Sequence, residues 1–188
     1  MVESVLNKDE ALIKSVAILK KRWGEKAPFT AMVCGSGWAN VTSELTVVDE
    51  LSYEEIPCLS STTVEGHVSK LLLVKTKNAY AIMFQGRRHY YEGVAWKTIV
   101  QPILLSYELG CRNIILTNAA GGISTHLAVG DLMIINDHIN FMGDNPLLGN
   151  FDYADVPRFP DQSEVYSKDL RDTAKVIDNE NSLRLKNG

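Results

Sequence analysis

The chain has 188 residues, 45% of them hydrophobic and 22% charged, with a formal net charge of −4. That length holds one domain with a sizeable core, and the proportions are ordinary for a soluble globular protein. The acidic balance gives no support to a nucleic-acid partner, because no basic stripe is present to neutralise phosphates. In chain order, Asn7 followed by Glu10 resembles a helix start, and Leu12, Val16, Leu19 and Trp23 form a helical stripe that Gly24 stops. Apolar runs follow at 29–33, 71–74, 81–84, 114–116 and 132–135, and their continuity predicts strands covered on both faces. Trp96 to Leu109 has a helical pattern with Gly110 as its C′ residue, and Pro102 predicts a kink or a split within it. The stretch from Asp144 to Pro160 reads as a long loop, and Ser163 opens a last helical segment through Val165, Leu170 and Ala174.

Cys34, Cys58 and Cys111 form an odd count without CxxC spacing, which points to neither a zinc site nor a disulfide framework and fits a reducing compartment. Cys34 and Cys111 sit beside apolar strands and read as buried small hydrophobes. The N-terminal residues lack the basic and then apolar character of a signal peptide, and no uncharged apolar stretch approaches membrane-spanning length. The expectation is a cytoplasmic protein with no membrane partner.

Three turns carry the chemistry. Cys34-Gly35-Ser36-Gly37, Gly86-Arg87-Arg88-His89-Tyr90-Tyr91-Glu92-Gly93 and Thr117-Asn118-Ala119-Ala120-Gly121-Gly122 each follow a run that reads as a strand. Open α/β sheets bind ligands at the carboxyl ends of their strands, so the three together suggest an oxyanion site. Ser36 offers a hydroxyl between two glycines, in a pattern that is neither GxSxG nor GxGxxG. Arg87 and His89 are two residues apart and share one face of an extended segment, with Tyr91 on that face as well. Arg87 supplies a charged fork suited to phosphate, and His89 a donor whose charge is tunable near neutral pH. Glu92 is a candidate acceptor holding His89 or Arg87 in position. The small residues of 118–122 allow close backbone approach by a ligand. His67 is a further candidate of little weight by itself, His138 reads as structural, and no histidine pair has metal-ligand spacing, so no metal is expected.

At these residues the chain resembles the trimeric-type purine nucleoside phosphorylases. The similar pieces are the Cys34 to Gly37 turn, Val64-Glu65-Gly66-His67, Gly86 to Gly93, Thr117 to Ile123, Gly130-Asp131-Leu132, Asp137-His138-Ile139-Asn140, Asn145-Pro146-Leu147 and Arg158-Phe159-Pro160. Trp38-Ala39 stands where members of the family more usually have Leu-Gly. The resemblance implies an α/β fold with a mixed central β-sheet flanked by helices, and a single nucleoside phosphorylase domain over 1–188 whose C-terminal part is missing from this sequence. Family members are longer by about half again, and the further part carries the base-gripping Glu and Asn. Phosphate would be held by Ser36, His67, the Arg87-Arg88 pair, His89 and the backbone N–H of Ala119, with Arg87 and His89 as the catalytic residues. Tyr91 would contact the ribose, and Ala119 and Ala120 would line the base pocket. An aromatic residue lent by a neighbouring subunit falls near Asp155, Tyr153 and Phe151.

The implied reaction is phosphorolysis of a purine nucleoside or deoxynucleoside, with inorganic phosphate as co-substrate, no other cofactor and a homotrimeric complete protein. Two other readings stand beside it. One is a non-catalytic phosphate-binding remnant or subunit fragment. The other, ranked lower, is a methylthioadenosine phosphorylase, which the chain resembles less at Tyr91-Glu92-Gly93 and Asn118-Ala119-Ala120-Gly121.

Overall fold

Asp9 starts the first helix, because its carboxylate accepts the backbone N–H groups of Ala11 and Leu12, both at 3.1 Å, which no residue within the helix can satisfy. Helix α1 (Glu10–Trp23) then buries Leu12, Val16, Leu19 and Trp23, the expected stripe. Asn7 lies outside the described residues, and the cap is Asp9. The computed structural model describes residues 9–61, 68–149, 157 and 159–188.

The described chain divides into two compact units, parted between Ala119 and Ala120. The first holds α1 and a five-stranded sheet of β1 (Pro28–Cys34), β2 (Thr46–Ser52), β3 (Lys70–Lys75), β4 (Tyr80–Gln85) and β5 (Asn113–Leu116), in the order β2-β3-β4-β1-β5. Strand β1 runs parallel to both β4 and β5, whereas β2, β3 and β4 pair antiparallel, so the sheet is mixed as expected.

The apolar runs of β1, β3 and β4 are covered on both faces, whereas the expectation fails for β5, which lies at the sheet edge with Ile115 and Leu116 exposed, and for the run 132–135, where Leu132 and Met133 are exposed. Ala31, Val33, Leu71, Leu73, Ile82 and Phe84 point to one face, where they meet α1 together with Leu105 and Leu109. The intervening Cys34, Leu72, Val74 and Met83 point to the other, against Trp38, Val41 and Leu45. This is the period of two of a pleated strand, with both phases apolar. Strand β2 went unanticipated. Its sequence, Thr-Val-Val-Asp-Glu-Leu-Ser, mixes charge with apolar residues, as suits an edge strand largely open to water.

Pro102 splits the second helical pattern. Helix α2 (Trp96–Ile99) ends before α3 (Gln101–Glu108), and Pro102 sits in the first turn of α3, where its missing N–H has no intrahelical partner to lose. Gly110 follows with φ 91°.

The second unit is sparser. Of the run 132–135 only β6 (Met133–Ile134) is a strand, and it pairs in parallel with β7 (Lys186–Asn187). The last helix, α4 (Lys168–Asn181), begins five residues later than Ser163 suggested, because Ser167 provides the cap by accepting the Leu170 N–H at 3.4 Å. Among the described residues no helix is long and apolar enough to cross a membrane.

Candidate functional site

Parallel pairing decides where the three turns lie. Cys34 is opposite Gln85 and Val33 is opposite Leu116, so β4, β1 and β5 end together at one edge of the sheet. The turns that follow them, 35–37, 86–89 and 117–119, therefore leave that edge from adjacent strands. Strand β1 lies between β4 and β5; the chain leaves β1 toward β2 and leaves β4, by way of α2 and α3, for β5, so the connections from these adjacent strand ends diverge at the carboxyl end of the sheet, where open α/β sheets bind ligands.

Thr117 joins the turns. Its side chain is buried, with 8% of the residue exposed. Its hydroxyl accepts the Gly35 N–H at 2.8 Å and donates to the Val33 carbonyl at 3.3 Å. Its own carbonyl accepts from the Arg87 guanidinium at 2.7 Å. Gly35 has to be glycine here, because a Cβ would lie 2.5 Å from the Thr117 carbonyl oxygen and 3.0 Å from Arg87 Nη1.

Burial lowers the pKa of Arg87, and the groups that oppose this are the Cys34 thiol and the Tyr91 and Tyr53 phenols. A guanidinium partly stripped of water is a setting that favours an incoming anion. Burial likewise raises the Cys34 thiol, with Arg87 pulling the other way.

The segment bearing Arg87 is held from both ends. Gly86 adopts φ 109°, which side-chain-bearing residues rarely do, and its carbonyl accepts the Tyr53 hydroxyl at 2.6 Å. Tyr53 is 2% exposed, and burial drives its phenol pKa up, so it stays a donor. At the far end Glu92 accepts the His89 backbone N–H at 2.5 Å and faces Arg88 Nε at 3.2 Å. Glu92 thus fixes the His89 main chain together with Arg88. Arg88 also donates to the Ser61 carbonyl at 2.7 Å, whereas its neighbour Arg87 reaches Thr117, as alternation along an extended segment requires. The His89 ring stacks on Tyr91, centroids 5.1 Å apart and planes 13° from parallel, and Tyr91 is 74% exposed.

The remaining candidates are less fully defined. Ser36 is exposed on its turn, and Ala119 is exposed at the end of the first unit. Ala120, also exposed, opens the second unit. His67 lies outside the described residues, as do Asp155, Tyr153 and Phe151. His138 Nδ1 is 3.0 Å from the Tyr166 hydroxyl within the second unit. All three cysteines are buried and free, with Cys58 and Cys111 pushed up to about 11 by burial. Among the described residues no cluster of three or more His, Cys, Asp or Glu side chains could hold a metal.

Sequence reasoning missed Thr117 and Tyr53 as parts of the site. Thr117 opens the third motif, so its position could have drawn attention. Tyr53, 33 residues before Gly86, carries no local signal.

Comparison with known proteins gives this edge of the sheet a context. The purine nucleoside phosphorylase 1 of Geobacillus stearothermophilus is 40% identical over 178 residues, covering 95% of this chain and 65% of that protein. The purine nucleoside phosphorylase of Mus musculus is 39% identical over 153 residues, covering 80% of this chain and 53% of its own length. Among solved structures, the Schistosoma mansoni purine nucleoside phosphorylase in complex with acetate superposes with a TM-score of 0.85 at 32% identity, covering 99% of this chain and 70% of that one. Isoform 2 from the same organism, in complex with cytosine and ribose-1-phosphate, gives 0.83 at 34% identity and covers 95% of this chain and 64% of that one. The chain thus spans about two thirds or less of the length of these sequence relatives. The model of the phosphorylase superfamily matches residues 30–188, a span that takes in all three turns, and the chain belongs to that family.

Proposed function

We propose that this chain carries the phosphate-binding part of a purine nucleoside phosphorylase, acting in purine salvage. The observation that carries the reading is the meeting of three turns at one sheet edge, with the partly buried Arg87 guanidinium seated on Thr117. The relatives' names supply the substrate class.

In this reading an inorganic phosphate dianion lies among Ser36, His67, Arg87, His89 and the Ala119 N–H. Arg88, engaged with Glu92 and Ser61, secures the segment from its other face. Tyr91, stacked on His89, borders the ribose, and Ala119 and Ala120 border the base. Phosphate oxygen attacks C1′ of a purine ribonucleoside or deoxyribonucleoside as the N-glycosidic bond breaks. The bonding pair leaves with the base, which takes up a proton, and ribose 1-phosphate remains. Positive charge develops on the sugar in the transition state, so the dianion that becomes the nucleophile also stabilises it. Arg87 and His89 orient that dianion, and the protein's contribution is positioning and electrostatics. Glycosidases instead set two carboxylates across the bond.

The reading takes 1–188 as part of one nucleoside phosphorylase domain, cytoplasmic, with phosphate as co-substrate, no other cofactor, and a homotrimer in the complete protein. A second reading, a phosphate-binding fragment without turnover, is favoured by the share of the relatives' length that is covered. Inosine or guanosine incubated with the chain, with and without phosphate, separates the two. Phosphate-dependent release of free base supports the enzyme. Phosphate binding without base release supports the fragment, and absence of phosphate binding overturns both.

A further inference from the structure

We infer that Thr117 is the positioning residue that locks the two anion-binding turns to each other; the inference rests on the phosphate reading above. Three observations carry it. Thr117 is buried although polar, and both functions of its hydroxyl are used, one toward Gly35 and one toward Val33. Its carbonyl holds Arg87. The residue therefore acts on both turns at once, through side chain and main chain, from the position just after a third strand.

The consequence is specific. The Gly35 N–H is spent on Thr117, so the first turn addresses an anion with the Ser36 hydroxyl and the groups beyond Gly35. The direction in which that turn projects Ser36 is set by the Thr117 hydroxyl. The orientation of Arg87 is set by the Thr117 main chain, which any residue at 117 provides. Replacing the hydroxyl by a methyl group of like size, Thr117→Val, releases the Ser36 turn alone and leaves Gly35 with a buried unpaired donor. Thr117→Ser keeps the hydroxyl and the lock.

The test measures binding of inorganic phosphate by calorimetry to the full chain and to Thr117→Val, Thr117→Ser and Arg87→Ala, with thermal midpoints alongside. Expected are near-native binding for Thr117→Ser, loss for Arg87→Ala, and a weakening of about tenfold for Thr117→Val, the scale of one hydrogen bond. A merely structural role would lower the midpoint of Thr117→Val and leave phosphate affinity of the folded protein unchanged; that result overturns the inference. Failure of the parent chain to bind phosphate overturns the functional reading and this inference with it. If Thr117→Val does not fold, hydrogen exchange in the parent decides. A Gly35 amide protected more than that of Gly37 supports the lock, and equal exchange overturns it.

Discussion

Arg87 and Gly35 both meet the Thr117 carbonyl, one through its guanidinium and the other through the absence of a side chain. Arg87 combines partial burial with a fixed seat on that carbonyl. In a complete phosphorylase, Arg87→Ala is expected to raise the phosphate concentration needed by about tenfold to a hundredfold, the worth of a charge-assisted hydrogen bond, with a smaller effect on nucleoside. Steady-state kinetics with each substrate varied in turn provides the check, and unchanged phosphate dependence rejects the assignment. Gly35→Ala tests the close approach. A Cβ at 2.5 Å from the Thr117 carbonyl oxygen forces β1 and β5 apart at their ends, because neither atom belongs to a flexible side chain. The expected cost is about 1–3 kcal/mol of stability, together with loss of phosphate binding, read by denaturant titration and calorimetry. The sequence points to Arg87 and His89 because a spacing of two predicts a shared face in an extended segment. The seat of Arg87 is not legible there, because its acceptor is a backbone carbonyl, and carbonyls are present at every residue.

Helix α1 is tied to the rest of its unit at both ends, and each tie can be measured. At its start Asp9 caps the helix and also receives Gln101 Nε2 at 3.0 Å and Lys97 at 3.2 Å, linking α1 to α2 and α3. Asp9→Ala is expected to cost about 1–2 kcal/mol, measured by urea unfolding, since it removes a cap and leaves a buried amide without its acceptor. At its end Arg22 grips Asp49 of β2 through two contacts, at 2.6 and 2.8 Å, and Trp23 Nε1 donates to the same carboxylate at 2.9 Å. The Arg22 hydrogen bond holds the Asp49 carboxyl below its ordinary value despite partial burial. A carboxylate whose pKa is lower folded than unfolded stabilises the fold above the unfolded value. That contribution fades as pH falls below about 4. Asp49→Asn is therefore expected to flatten the acid limb of the stability profile, and an unaltered slope between neutral and acid pH rejects the assignment. Most of these elements could be read from residues. Continuous apolar runs exposed β1, β3, β4 and β5, and Pro102 announced the break between α2 and α3. Strand β2 escaped because an edge strand need bury little, and the start of α4 was displaced because Ser163 and Ser167 are equally good caps when only the sequence is read.

At the scale of the whole molecule the two units differ in how completely they bury apolar side chains. The first closes a core on both faces of its sheet. In the second Ile139 is 81% and Phe141 91% exposed, and no buried cluster is found among its described residues. Such surface drives association. The chain is expected to self-associate with rising concentration in sedimentation velocity, and a double change, Ile139→Asp with Phe141→Asp, is expected to reduce this without lowering the thermal midpoint. A fall in midpoint would mean that those side chains are packed. This division could not be read from composition, because apolar residues are spread along the entire chain and only the pairing of strands reveals which are enclosed. Strands β1, β4 and β5 and the turns after them are all encoded before Ala120. On the ribosome, these strands emerge ahead of everything that follows. Under the proposed phosphate reading, an anion held by those turns stabilises the first unit by mass action before the later residues have been made.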